Sequence, residues 1–157
     1  MKRITINIIA LFILIFCSIS LISCSTKDIT GNCKLTKDYE NKNFVTDGIG
    51  EATLANTTDG DTTNFYLKTG GFVTVRYFGI DTPESTKDYD KWGKSASLYN
   101  AEILNKATKI VLEATTTPAS VDSYGSRYLG YVWYQTEEHP EFRMLNLETV
   151  EDGYSEN

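Results

Sequence analysis

The chain has 157 residues, 41% of them hydrophobic and 23% charged, a composition that describes one globular domain and excludes a disordered or collagen-like polymer. Its net charge of −6 becomes about −8 once a leader carrying Lys2 and Arg3 is removed, so bulk positive charge does not draw a partner to it. One hydrophobic core fits this length; two do not.

Lys2 and Arg3 precede an apolar run from Ile8 to Cys17, too short to span a bilayer and of the length expected for a secretory h-region. Leu21-Ile22-Ser23-Cys24 then resembles the lipobox of bacterial lipoproteins, where cleavage precedes a cysteine whose sulfur is acylated. The resemblance implies a signal peptide over 1–23, a lipidated Cys24, and a location at the outer face of the cell membrane. Two or more acyl chains make such attachment stable. An ordinary signal peptide releasing a soluble protein is the alternative. With Cys17 lost and Cys24 acylated, Cys33 has no partner in its own chain, which excludes an internal disulfide and a thiolate zinc site. Residues 24–50 are polar and lack a hydrophobic period, so they read as a tether reaching about 30 Å.

From Glu51 the pattern changes, marking residues 51–157 as the folded domain. Strands are expected over Glu51 to Asn56, Asn64 to Lys68 and Phe72 to Ile80, separated by Thr58-Asp59-Gly60-Asp61 and Gly70-Gly71. Ala96, Tyr99, Ile103 and Ala107 recur at spacings of three and four, which predicts an amphipathic helix over Ser95 to Ala107. Two further strands, Lys109 to Ala114 and Arg127 to Tyr134, precede a second helix starting near Leu145. The order points to an α+β fold: a small five-stranded OB-type β-barrel with one inserted helix and a shortened C-terminal helical region.

Three polar clusters could carry chemistry. Asp59-Gly60-Asp61-Thr62 is by itself no more than a hairpin turn. Arg76-Tyr77-Phe78-Gly79-Ile80-Asp81-Thr82-Pro83-Glu84 is richer, with a strand delivering an arginine and two carboxylates flanking a rigid Thr-Pro turn. Asp122-Ser123-Tyr124-Gly125-Ser126-Arg127 is a turn ending in a second arginine. Phosphodiester cleavage needs charge neutralisation, a positioned water and a proton acceptor. A carboxylate pair can hold a hard cation, two arginines can hold phosphate oxygens, and a further carboxylate can act as base. His139, the single histidine, sits in the acidic stretch Glu137 to Glu141 and reads as solvated, which argues against a histidine-metal nuclease or a serine-histidine hydrolase.

The order Asp-Gly-Asp-Thr, Val-Arg-x-x-Gly-Ile-Asp-Thr-Pro-Glu and Asp-x-Tyr-Gly-…-Arg-x-Leu-Gly-Tyr-Val-Trp resembles the thermonuclease, or staphylococcal nuclease, family from about Glu51 to Tyr154. The resemblance implies an OB-type barrel that uses calcium to hydrolyse DNA and RNA. It implies that Asp61, Asp81 and the backbone carbonyl of Thr82 bind Ca2+, with Asp59 nearby. Glu84 would activate the attacking water, while Arg76 and Arg127 would clamp the phosphate. No protein partner is expected.

Geometry adds a condition. Arg76 and Asp81 have opposite parity on a straight strand, so the chain must bend between them, and Gly79 is where a bend is sterically cheap. Two departures from the family pattern stand out. Ser126 intervenes between Tyr-Gly and the arginine, and Arg127 is taken as the functional residue on the expectation that the turn absorbs the extra position. The chain also stops soon after Tyr154. Together these leave a non-cleaving nucleic-acid-binding module as the alternative function. Lys87, Lys91 and Lys94 are either auxiliary phosphate contacts or solubilising charges, and Tyr89 and Trp92 either stack on bases or pack beside the helix.

Overall fold

The computed structural model describes residues 33–85 and 92–155. The expected leader, Cys24, the first part of the expected tether, and Lys87, Tyr89 and Lys91 lie outside the described residues. In chain order the elements are α1 (Phe44–Asp47), β1 (Ile49–Thr57), β2 (Thr62–Leu67), β3 (Phe72–Tyr77), α2 (Gly93–Lys106), β4 (Lys109–Ala114), β5 (Tyr128–Gln135), β6 (Arg143–Met144) and α3 (Leu145–Glu151).

β1, β2 and β3 form the expected antiparallel meander; β1 also pairs with β4, and β4 with β5. The sheet closes because β5 returns parallel to β3, with Val75 opposite Tyr128, Arg76 opposite Leu129 and Tyr77 opposite Gly130. The result is the expected α+β, five-stranded OB-type barrel with α2 inserted after the third strand. β6 is a two-residue addition to the edge of β5.

Period-two alternation decides what faces the barrel interior. On β3, Val73, Val75 and Tyr77 are buried while Thr74 and Arg76 stay partly exposed on the outer face. Phe65, Leu112, Val132 and Leu104 complete the same core. Helix α2 contributes Ala96, Asn100 and Leu104 as its fully covered stripe, with Tyr99 and Ile103 beside it. The helix therefore turns a slightly different face inward from the one its apolar period predicts, and a polar residue lies at its centre.

The part of the expected tether from Cys33 to Gly50 is packed rather than free. Phe44 is fully buried in the barrel core, where burial of such a ring stabilises by about 1.5–3 kcal/mol. The Asn43 side chain caps α1 by accepting from Val45 N and Thr46 N. Upstream, Cys33, Leu35 and Tyr39 pack on a second cluster of Ile49, Val111 and Trp133 outside the barrel. The reason lies in β4, where Ile110, Val111 and Leu112 are consecutive and all buried. A strand that is apolar on both faces needs cover on both, and residues before β1 supply the outer cover.

Candidate active site

β3 ends at Tyr77, and the chain turns through Phe78 and Gly79, whose φ of +79° lies in the left-handed region that favours glycine. The bend required to bring Arg76 and Asp81 together is therefore present. Nη2 of Arg76 lies 2.6 Å from Asp81 Oδ1, and Nη1 of the same guanidinium contacts Asp61 Oδ1. Two carboxylates from separate turns thus converge on one cation.

Asp61 is only 3% exposed, so its charge must be satisfied locally. Its Oδ2 accepts from Thr82 N at 2.7 Å and Thr82 Oγ1 at 3.0 Å, and its Oδ1 accepts from Thr62 Oγ1. These bonds staple the turn before β2 to the Thr-Pro turn after β3. Gly60 permits the close approach: a Cβ there would lie 2.7 Å from Ala96 Cβ and 2.8 Å from Thr82 Oγ1. The Asp-Gly-Asp element is consequently more than a hairpin turn, because a side chain at its centre would push Thr82 and α2 away.

Asp59 is partly buried, and its Oδ1 accepts from Asp61 N. Burial raises its carboxyl above the usual range, against the opposing pull of Thr62, Arg76 and Arg127. Asn100 holds the same turn from α2 by donating to the Asp59 carbonyl at 2.8 Å, while also donating to Thr63 Oγ1. The Tyr77 hydroxyl donates to Asn100 Oδ1 at 2.9 Å. Asn100 escaped sequence reasoning; its signal is a polar residue four positions from both Ala96 and Leu104 in an otherwise apolar stripe.

Arg127 ends the turn that follows Val121. Asp122 N donates to Arg127 O, Gly125 N donates to Asp122 O, and β5 begins only at Tyr128. The extra Ser126 is thus accommodated in the turn, and the inward set of β5 keeps its register. Arg127 Nε donates to Asp122 Oδ2 at 2.6 Å, and the guanidinium lies over the Tyr124 ring at 5.5 Å. Parallel pairing of β3 and β5 explains why two arginines far apart in sequence meet: Arg76 is in register with Leu129, two residues after Arg127, so both guanidinium groups leave the barrel on one face.

An open cleft of about 510 Å³ is lined by Asp61, Arg76, Glu84, Tyr124, Ser126 and Arg127. Glu84 is exposed there. Of the sequence-derived candidates, Asp61, Arg76, Glu84 and Arg127 share this cleft, Asp81 joins through Arg76, and Thr82 turns its hydroxyl and amide toward Asp61. His139 lies apart on an exposed loop, Trp92 is 69% exposed at the start of α2, and Lys94 is exposed.

The donor chemistry suits a hard cation. Asp61 and Asp81 offer only oxygen, and their Oδ1 atoms already flank the positive charge of Arg76. Among the described residues no group of three or more His, Cys, Asp or Glu could hold a metal ion. A cation here would draw its remaining ligands from backbone carbonyls, water and phosphate oxygens.

Fold and site together define a small OB-type barrel with two guanidinium groups at one cleft and the carboxylates of Asp61 and Asp81 set against one of them. A family model for staphylococcal nuclease homologues (SNase) matches residues 74–157, and the chain belongs to that family. Its members are generally nuclease hydrolases and typically calcium-dependent, so the domain is a nuclease-like or nucleic-acid-binding OB module. The matched segment holds Arg76, Asp81, Glu84 and Arg127; Asp61 precedes it and joins them through the fold. No curated protein matches the chain.

Proposed function

We propose that the protein is a calcium-dependent nuclease that hydrolyses DNA and RNA with little sequence preference, exported and anchored at the outer face of the cell membrane through a lipidated Cys24. The observation that carries the catalytic reading is the joint placement of Arg76, Arg127, Asp61 and Glu84 around one cleft. The anchor rests on the leader and the Leu-Ile-Ser-Cys motif alone; among the described residues no helix is long and apolar enough to cross a membrane.

Calcium, when bound by Asp61, Asp81 and the Thr82 carbonyl, supplies positive charge that offsets the charge of the phosphate. Arg127 engages Asp122 through Nε and so presents its two terminal nitrogens to phosphate oxygens in the planar fork that suits them. Arg76 must exchange one or both carboxylate contacts for phosphate when substrate enters. Water then attacks phosphorus, Glu84 takes the water's proton, and the P–O bond breaks with its electron pair passing to the leaving oxygen, which takes a proton from solvent. Donors already in place for the developing charge lower the barrier because they need not reorganise during the reaction.

The acidic net charge implies weak long-range steering, so affinity comes from the local cleft. The test is digestion of single- and double-stranded DNA and of RNA with calcium or with a chelator. Cleavage that stops on chelation and returns with calcium is expected; binding without turnover would instead identify a non-cleaving module. Retention of Glu84 on the cleft favours turnover. Membrane fractionation of wild type against Cys24→Ser tests the anchor, with release of the variant expected.

A further inference from the structure

Asp81 presents a positional problem. Its side chain is 85% exposed, so packing does not hold it, and among the described residues its ion pair is to Arg76, a residue that substrate would draw away. The turn that carries it follows the end of β3 and contains Gly79, around which a Cβ would meet open space. The bonds from Thr82 to Asp61 fix the residue after Asp81, and placing Asp81 itself needs a hold on its own backbone and on the start of the turn.

Two contacts from the C-terminal part of the chain do this. Asn146 on α3, itself buried, donates to Phe78 O at 3.0 Å where the turn begins, and its Oδ1 accepts from Val132 N on β5. At the other end of the turn, Ser155 Oγ accepts from Asp81 N and donates to Asp81 O, both at 2.9 Å. One hydroxyl therefore grips both backbone groups of the residue immediately before Thr82. Ser155 is itself delivered by the tail of α3. Gly153 N and Tyr154 N bond back to Val150 O and Thr149 O, Tyr154 stacks on Tyr99 of α2 at 4.3 Å, and Tyr99 OH donates to Asp152.

We infer that Ser155 is a positioning residue for the cation site, holding the Asp81 carboxylate in place from the segment after α3. This rests on the reading of Asp81 as a cation ligand. Partners that orient a ligand in this way, without touching the metal, typically cost about 10- to 100-fold in metal affinity when removed. Because the grip is on the backbone, threonine preserves it and alanine does not.

The experiment is calorimetric titration of the full chain with calcium alone, at a temperature where circular dichroism shows each variant folded. Ser155→Ala is expected to bind calcium about tenfold more weakly than wild type, at the low end of that range, and Ser155→Thr to bind within about twofold. Ser155→Cys, close in size but a weak hydrogen-bonding group, gives the same comparison if Ser155→Ala does not fold. A merely structural serine would lower the unfolding midpoint and leave the affinity of the folded chain unchanged, and equal affinities of wild type and Ser155→Ala would overturn the role of Ser155 alone. Failure of the wild type to bind calcium would overturn the reading of the site, and this inference with it.

Discussion

Arg76 and Asp61 lie in contact at the floor of the cleft, the guanidinium of one against the nearly inaccessible carboxylate of the other. The contact links the turn before β2 to the last part of β3, and it makes Arg76 serve both the fold and the proposed chemistry. Removing Arg76 should therefore have two separable effects. Arg76→Met leaves Asp61 its Thr62 and Thr82 donors but no cation, which should cost about 2–3 kcal/mol in urea unfolding. Calcium should restore part of that stability, since a ligand of the folded state alone stabilises by mass action. Phosphodiester cleavage should fall about 10²- to 10³-fold from loss of a transition-state donor.

Glu84 is exposed, and among the described residues it makes no hydrogen bond or ion pair. Glu84→Gln should accordingly leave the urea midpoint unchanged. As the proposed base, its loss should lower kcat by about 10²- to 10⁴-fold with little change in KM. Steady-state kinetics with a defined oligonucleotide provide the measurement.

Gly93 opens α2 against the backbone of the loop that carries Glu84. A Cβ at this position would collide with the Glu84 carbonyl, lying 2.6 Å from its carbon and 2.8 Å from Pro83 O. The obstacle is main chain and cannot rotate aside. Gly93→Ala should destabilise by about 1–3 kcal/mol and displace Glu84. Cleavage at a temperature where the variant is still folded should drop, and Ser95→Ala on the same helix should not reproduce the drop.

Asp122 gives a pH prediction. Partial burial raises its carboxyl, hydrogen bonds from Arg127 and Ser126 and the Arg127 charge lower it, and the net position is below the ordinary value of 3.8. A lowered folded-state pKa contributes stability that is present above 3.8 and is lost as pH falls through the folded value. Asp122→Asn should thus be less stable than wild type at neutral pH, and the gap should close on acidification below the carboxylate range. Urea midpoints measured across that range test the sign; a gap that widens toward acid would contradict it.

Much of the fold was legible because each strand carries its own period and each turn its own residues. The meander, expected over Glu51 to Ile80, runs from Ile49 to Tyr77, and the helix that follows and the pair β4 and β5 lie close to where local pattern places them. The bend before Asp81 was readable too, from the parity of Arg76 and Asp81 and from Gly79. The packing of residues 33–50 is hidden by their polar composition, although the unbroken Ile110-Val111-Leu112 run signals that something must cover the second face of β4. Ser155 and Asn146 carry no local signal at all.

Periodicity and side-chain chemistry alone account for the five barrel strands, α2, the start of α3, the barrel class and the residue types able to neutralise a phosphate, but not for α1 or β6. Folding alone brings Arg76 and Arg127 to one face, because parallel closure of β3 on β5 is a pairing between distant segments. It also decided that Asp61 is buried against Thr82 and that Ser155 grips Asp81. Each of these depends on where two remote backbones come to rest, which no single stretch of chain encodes.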